Sequence, residues 1–265
     1  MFNVSCIQLT SDNNVLSNLE KTTNLIIGSI KKKADLIITP ENTSVFTVDR
    51  SELLEKAEDM NSNFFLESIS RISKSYKKWI LIGSLPIKLS KKLLANRSVL
   101  FNPNGKIANY YDKIHMFDVK LSKKEKYEES KKFLAGKKKV LAKLPWGILG
   151  FSICYDVRFP NLYRELAKNG AIFMTVPSAF TKTTGEKHWH TLLKARAIEN
   201  FSYIFAAAQT GKHFNDRSTY GHSLIISPDG EILKEKDKGE GFIIARIDEN
   251  LPKKLRAKIP SLKSN

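Results

Sequence analysis

The feature that most constrains this chain is an alternation of two apolar patterns along its whole length. Short continuous apolar runs recur at Leu36-Ile37-Ile38 (stopped by Pro40), Trp79 to Leu85, Ile148 to Ile153 and Ala171 to Val176. Runs of that length, bounded by turn residues, read as strands buried on both faces. Between them, Val15, Leu19, Ile26 and Ile30, and then Phe65, Ile69, Ile72 and Tyr76, recur at helical spacing. Strands that alternate with amphipathic helices predict an α/β protein with sheets inside and helices outside. Further strands are expected at 2–9, 203–208 and 241–247, and helices at 160–169 and 187–200. Asp12 is the expected cap of the first helix. Asn102-Pro103-Asn104-Gly105 and Ser227-Pro228-Asp229-Gly230 predict hairpin turns, the first within 97–111. A lysine-rich loop is expected over 116–139. No segment reads as a linker, so one domain over 1–265 is expected.

The chain also echoes itself. ADLIITPEN (34–42) resembles AIFMTVPSA (171–179), and VLFNPNGKI (99–107) resembles LIISPDGEI (224–232). The offsets, 171 − 34 = 137 and 224 − 99 = 125, require an insertion between the halves. Hairpins of this composition are common enough for chance to compete, but two similar α/β halves are consistent with it.

Composition narrows the class. A chain of 265 residues at 42% hydrophobic content buries a sizeable core. Two cysteines, Cys6 and Cys154, make no disulfide framework and fit a reducing compartment. No basic segment followed by a long apolar stretch opens the chain, and no run of about 18 apolar residues crosses a bilayer. A cytoplasmic protein is the expectation. The net charge of +17 admits a nucleic-acid or anionic-surface binder as the reading from another class. Lysine supplies most of it in scattered runs such as Lys31-Lys32-Lys33, Lys91-Lys92 and Lys137-Lys138-Lys139, with no aromatic residues interleaved for base stacking. Solvated faces are the stronger reading.

Three residues stand out chemically. Cys154 falls where the apolar ILGFSIC gives way to a polar turn and then a helix, a place where backbone N–H groups can receive developing negative charge. A buried structural thiol competes evenly with a nucleophile there. Glu41 ends the strand LIITPE, where partial desolvation is expected to raise its pKa toward that of a general base; alone, a loop carboxylate is the simpler reading. Lys113 sits among aromatics in NYYDKIHMFD, consistent with an inward ammonium, although a stem lying along apolar surface is commoner. Glu128 and Glu129 cannot be told apart by composition. His115, His188, His190, His213 and His222 form no HExxH or other zinc spacing, and no Gly-rich nucleotide motif is present, so neither a metal nor a cofactor is expected.

Taken together, PEN (40–42), YYDKIHMFD (110–118) and GFSICYDVRFP (150–160) resemble the nitrilase, or carbon–nitrogen hydrolase, superfamily. The spacings are 113 − 41 = 72 and 154 − 113 = 41. The likeness extends through PSAFTKTTGEKHWHTLLKARAIEN (177–200), AAAQTG (206–211) and YGHSLIISPDGEIL (220–233). It implies a four-layer α-β-β-α sandwich, with Cys154 as nucleophile, Glu41 as general base and then acid, and Lys113 as oxyanion stabiliser beside the Tyr155 backbone N–H. Glu129, in the segment ending at Gly136, would position Lys113 or the substrate. Tyr155-Asp156 after the cysteine resembles the amidase branch, since nitrile-hydrolysing members usually carry Trp-Glu there. AAAQTG and YGHS resemble deaminated glutathione amidases more than ω-amidases or broader aliphatic amidases. The implied reaction converts a small linear amide to carboxylate and ammonia through a thioester. Arg158, Thr181 and Thr184 are candidates to hold a substrate carboxylate. Members of the superfamily commonly pair through the helices after the nucleophile, which implies a homodimer or higher homo-oligomer with an interface through 160–169 and 187–200. One departure is HWH at 188–190 where similar members read HWE, which puts His190 in a glutamate's place.

Overall fold

The computed structural model describes residues 1–122, 125–214 and 217–263. The first half runs through β1 (Phe2–Gln8), α1 (Val15–Lys31), β2 (Leu36–Ile38), α2 (Arg50–Lys56), α3 (Phe64–Tyr76), β3 (Trp79–Lys88), β4 (Leu94–Phe101) and β5 (Ile107–Asp112). A small hairpin of β6 (Asp118–Lys120) and β7 (Lys126–Glu128) then leads to a helical turn at Glu129–Lys131. The second half holds β8 (Leu141–Leu144), β9 (Gly147–Gly150), a 3₁₀ turn at Cys154–Arg158, α4 (Pro160–Lys168), β10 (Ala171–Thr175) and α5 (Lys182–Asn200). It continues with β11 (Tyr203–Ala206), β12 (Thr210–Lys212), β13 (Ser218–Tyr220), β14 (Ser223–Ile226) and β15 (Ile232–Lys236), and closes with β16 (Gly241–Ile247) and α6 (Leu251–Lys258).

Two six-stranded sheets form, in the orders β16-β1-β2-β3-β4-β5 and β15-β14-β11-β10-β9-β8. In the first, β1, β2 and β3 are parallel, with antiparallel β16 on one side and the antiparallel pair β4-β5 on the other. The second repeats this design, with β9, β10 and β11 parallel, β8 antiparallel at one edge, and β14-β15 antiparallel at the other. The echo in the sequence is therefore structural. Both PEN and PSA follow the parallel strand flanked by two parallel neighbours, and both Pro-x-Gly turns join the antiparallel pair.

Strand alternation sorts the side chains into layers. Val4, Cys6, Leu36, Ile38, Leu81 and Leu100 join residues of the second sheet in one large core cluster. Their neighbours Ile7, Ile37, Ile80, Ile82 and Val99 instead pack with Ile26 of α1 and Phe65 and Ile69 of α3. A period of two thus places successive residues in different layers. Where the sheets meet, Phe2 stacks on Trp146 with centroids 4.1 Å apart and meets Phe173 edge-on at 5.3 Å. Leu162 and Leu166 of α4 and Trp189 and Leu193 of α5 close the second sheet's helical side. The α-β-β-α sandwich follows.

Several local expectations change. Asn14, not Asp12, caps α1 by accepting from Ser17 N, while Asp12 accepts from Asn14 N one step upstream. α2 has only Leu53 buried, so no apolar stripe announced it. The loop at 116–139 contains the β6–β7 hairpin, and β8 is a short edge strand. α5 starts at Lys182, not 187, because Thr181 caps a first turn that has no apolar residue to reveal it.

Candidate active site

The C-terminal ends of the parallel strands of the two sheets face one another. After β2, Thr43 Oγ1 donates to Pro40 O at 2.6 Å, and Gln209 Nε2 donates to Glu41 O at 2.9 Å, which pins the backbone that carries Glu41. β3 passes so close behind this turn that a Cβ at Gly83 would lie 2.0 Å from Thr39 O and 2.5 Å from Pro40 O. After β9, Cys154 takes a left-handed conformation with φ 48°, and its N–H donates to Pro177 O at 2.9 Å. That region is costly for a side chain and is typically retained where it aims a reactive group. Lys113 follows β5, held by Lys113 N to Asn96 O at 3.0 Å and by Gly136 N to Lys113 O at 2.8 Å.

These three side chains meet. Lys113 Nζ donates to Glu41 Oε1 at 2.9 Å and to both carboxylate oxygens of Glu129, at 3.0 and 2.8 Å. Asn96 Nδ2 donates to Glu41 Oε1 and to Glu129 Oε1, each at 3.1 Å. Glu41 Oε2 accepts from Ala179 N at 2.8 Å, and Glu129 Oε2 from Phe117 N at 2.7 Å. Cys154 opens onto the same cavity as Glu41 and Lys113, near enough for the charges of both to act on its thiol. Glu41, Lys113 and Cys154 are 3%, 1% and 7% exposed, so the group is dry enough for its charges to act strongly.

Burial by itself would raise Glu41, as the sequence led one to expect, but the adjacent Lys113 ammonium outweighs it and holds the carboxyl below its ordinary value. Desolvation pulls Lys113 down, and the charges of Glu129 and Glu41 more than reverse this, so it stays firmly protonated. Burial, followed by the Glu41 charge, pushes the Cys154 thiol up against the opposing pull of Lys113. The resting site therefore holds a carboxylate, an ammonium and a neutral thiol.

Asp156, fully buried, locks the loop that carries Cys154 to the strand that delivers Lys113. Its Oδ2 accepts from Ile153 N at 2.9 Å and from Tyr111 OH at 2.8 Å. Its Oδ1 accepts from His115 N at 3.0 Å and meets His115 Nδ1 at 2.6 Å. Tyr155 N lies in the first turn of the 3₁₀ helix that begins at Cys154, where amides have no acceptor within the helix.

A cavity of about 710 Å³ opens onto Glu41, Lys113 and Cys154. Thr181 and Thr184 line it, but their hydroxyls bond each other at 2.8 Å, and that of Thr181 also caps α5 by accepting from Thr184 N. Arg158 is not among the lining residues. Its guanidinium meets His188 Nδ1 at 3.2 Å and lies over the Tyr155 and Phe180 rings. The cationic lining comes instead from Arg50, Lys126, Lys131, Lys132 and Arg217. Arg217 donates to Ala179 O at 2.9 Å and lies over Tyr127 and Phe46. Lys126, Lys131 and Lys132 belong to the lysine-rich loop expected over 116–139, and nothing in the sequence singled out Arg50 or Arg217; only the fold brings them to one wall. Asn96 was equally hidden, inside a strand that is buried throughout.

Residues 3–257 match the family model for carbon-nitrogen hydrolase, and the chain belongs to that family of hydrolases acting on amide C–N bonds. It is 39% identical over 264 residues to a deaminated glutathione amidase of Synechocystis sp., which covers 97% of this chain and 96% of the relative. It is 32% identical to the deaminated glutathione amidase of Homo sapiens, over 97% of this chain and 80% of that one. The crystal structure of the C. elegans NitFhit protein superposes with a TM-score of 0.93 at 32% identity, over 100% of this chain and 65% of that longer one. An amidase from Nesterenkonia sp. shares the fold alone, with a TM-score of 0.82 at 21% identity and coverage of 98% and 95%.

Proposed function

We propose that this chain is one carbon–nitrogen hydrolase domain over 1–265 that cleaves an anionic linear amide, with Cys154 as nucleophile, Glu41 as proton carrier and Lys113 as oxyanion stabiliser. The observation that carries it is the meeting of thiol, carboxylate and ammonium at the floor of one cavity. Sulfur attacks the amide carbon while Glu41 takes the thiol proton. The oxygen that gains charge is met by Lys113 Nζ and Tyr155 N–H, a kind of contact worth roughly 3–4 kcal/mol per donor. Glu41 then gives its proton to the departing nitrogen and afterwards activates water against the thioester. Glu129 and Asn96 hold Lys113 and Glu41 in register rather than touching the reacting carbon.

The cationic wall and the relatives' names favour a deaminated-glutathione-like substrate over a neutral amide. In glutathione the γ-carbonyl is joined to the cysteinyl nitrogen, so cleavage there releases an amine. The ammonia expected above is released only from a primary amide. A cytoplasmic enzyme that pairs through α4 and α5 accords with this reading; among the described residues, no helix is long and apolar enough to cross a membrane.

The test is a panel of amides: deaminated glutathione, α-ketoglutaramate and neutral aliphatic amides, assayed for both amine and ammonia. The dianionic substituted amide is expected to turn over fastest, and Cys154→Ala to lose turnover by at least 10³-fold. Undiminished turnover by Cys154→Ala would remove the mechanism; a preference for neutral amides would remove the substrate class alone.

A further inference from the structure

His190, the residue at which the sequence departs from the pattern it otherwise resembles, takes no part in the cavity described above. It stands in α5 two turns beyond the capping Thr181, and its Nε2 meets Glu235 Oε1 of β15 at 3.0 Å. The same oxygen meets Nδ1 of His222, between β13 and β14, at 2.6 Å. One donor atom from each of the three side chains falls within 4.8 Å of the other two.

Three separate elements thus aim two imidazoles and a carboxylate at a common point, and the surroundings fix that aim. His222 holds a left-handed φ of 53°, with its N–H on Asp237 O at 3.1 Å and its carbonyl accepting from Trp189 Nε1 at 2.8 Å. Tyr220 stacks on its ring at 4.1 Å, and His190 stands edge-on to that ring at 5.3 Å. The far nitrogen of His222, Nε2, meets Asp237 Oδ1 at 3.0 Å. A carboxylate on the outer nitrogen is the arrangement that sets the tautomer of a metal-bound histidine, leaving the inner lone pair for the ion. His190 and Glu235 side chains are each 32% exposed and that of His222 18%, so an ion can enter and a fourth position faces solvent.

We infer that His190, His222 and Glu235 form a surface site for a divalent transition ion of the zinc class, with Asp237 as the partner that orients His222. Two nitrogens and one carboxylate oxygen suit zinc, cobalt or nickel and are too few in oxygen for calcium or magnesium. In a tetrahedral shell with bonds of about 2.1 Å, neighbouring ligand atoms stand roughly 3.4 Å apart. The observed 3.0 and 2.6 Å separations therefore need to open by less than an ångström, which three partly exposed side chains can supply. A bound ion requires the inner nitrogens of both imidazoles to be free of protons, any proton there passing to solvent, with the proton of His222 on Nε2 toward Asp237. The bound ion fastens α5 to β15, away from the amide chemistry, so the site stands independently of the proposed reaction.

The experiment titrates Zn²⁺ and Co²⁺, each alone, into the wild-type chain at neutral pH. It follows stoichiometry by calorimetry, thermal midpoint by scanning, and the visible bands of four-coordinate Co²⁺. One ion per chain and a saturable rise in midpoint are expected. Affinity should fall at least tenfold in His190→Ala and in Glu235→Gln but persist in His188→Ala and in Cys154→Ala, which controls for ions held by the thiol. Because imidazoles must give up their protons to bind, affinity should weaken steadily as pH falls. Circular dichroism checks that each variant is folded, and the exposed His190 variant serves if the left-handed His222 position does not tolerate change. No stoichiometric binding at micromolar ion, or binding undiminished in both His190→Ala and Glu235→Gln, overturns the site and leaves a hydrogen-bonded clasp.

Discussion

At Lys113 a single ammonium bonds Glu41 at 2.9 Å and Glu129 at 2.8 Å, and its charge holds the Glu41 carboxyl below its ordinary value against burial. Removing it in Lys113→Met leaves the buried Glu41 and the partly buried Glu129 carboxylates sharing Asn96 with no cation between them. Glu41 then loses the charge that holds it low, while burial and the Glu129 charge push it up. On the proposed mechanism the base must be ionised, so the acid limb of the kcat/KM profile is expected to move to higher pH, and kcat to fall by about 10²–10³ with the loss of the proposed oxyanion donor. A profile that keeps its acid limb would show that Lys113 does not tune Glu41. Linkage has the matching sign. With its native value depressed, Glu41 contributes stability above the unfolded carboxylate value of about 4.3, and this is lost as pH falls through the native value. Much at this scale was legible. Strand-end position drew attention to Glu41 and Cys154, and aromatic neighbours to Lys113, but only the resemblance of the joined motifs set them apart from a loop carboxylate, a structural thiol and a lysine stem on the surface. Glu128 and Glu129 could be separated only by the fold, which turns Glu128 toward Lys126 and Lys131 and Glu129 inward. The direction of the Glu41 shift was not legible, because desolvation can be read from a strand but a cation 72 residues away cannot.

Among the elements, β3 shows how closely the site depends on backbone approach. Gly83 N donates to Thr39 Oγ1 at 2.9 Å, directly behind the turn that carries Glu41. Gly83→Ala places a methyl group against backbone oxygens rather than movable side chains. The variant is expected to lose about 1–3 kcal/mol of stability or more, read as a lower denaturation midpoint, with turnover falling further than the midpoint implies as Glu41 shifts from Cys154. Full activity at unchanged stability would mean that the turn is not held from behind. The glycine is visible in the sequence, but its reason is not, since only the packed turn supplies the clash. The same division holds for whole elements. β2 and β10 are legible because burial on both faces makes them continuous apolar runs. α2 and the first turn of α5 are hidden because they bury little and rely on a polar cap, and β8 because its four residues are too short a run, with only Ala142 and Leu144 buried.

Across the whole molecule, the two halves close on a cavity whose wall is cationic in a chain of net charge +17. Lys31-Lys32-Lys33, Lys91-Lys92 and Lys137-Lys138-Lys139 are exposed and spread over separate turns. Arg50, Lys126, Lys132 and Arg217 converge instead on the mouth above Cys154. Charges gathered at a mouth concentrate an anionic substrate there, and mobile ions screen that attraction over about 10 Å at 0.1 M salt. Raising ionic strength from 0.02 to 0.5 M should therefore depress kcat/KM for a dianionic amide several-fold while leaving a neutral amide nearly unchanged. Lys132→Ala should flatten that dependence and raise KM for the dianion, whereas Lys32→Ala, on a distant turn, should do neither. A net charge acting without regard to place would make the two lysine variants equivalent, so steady-state kinetics on the pair separates a directed cationic mouth from a merely basic surface.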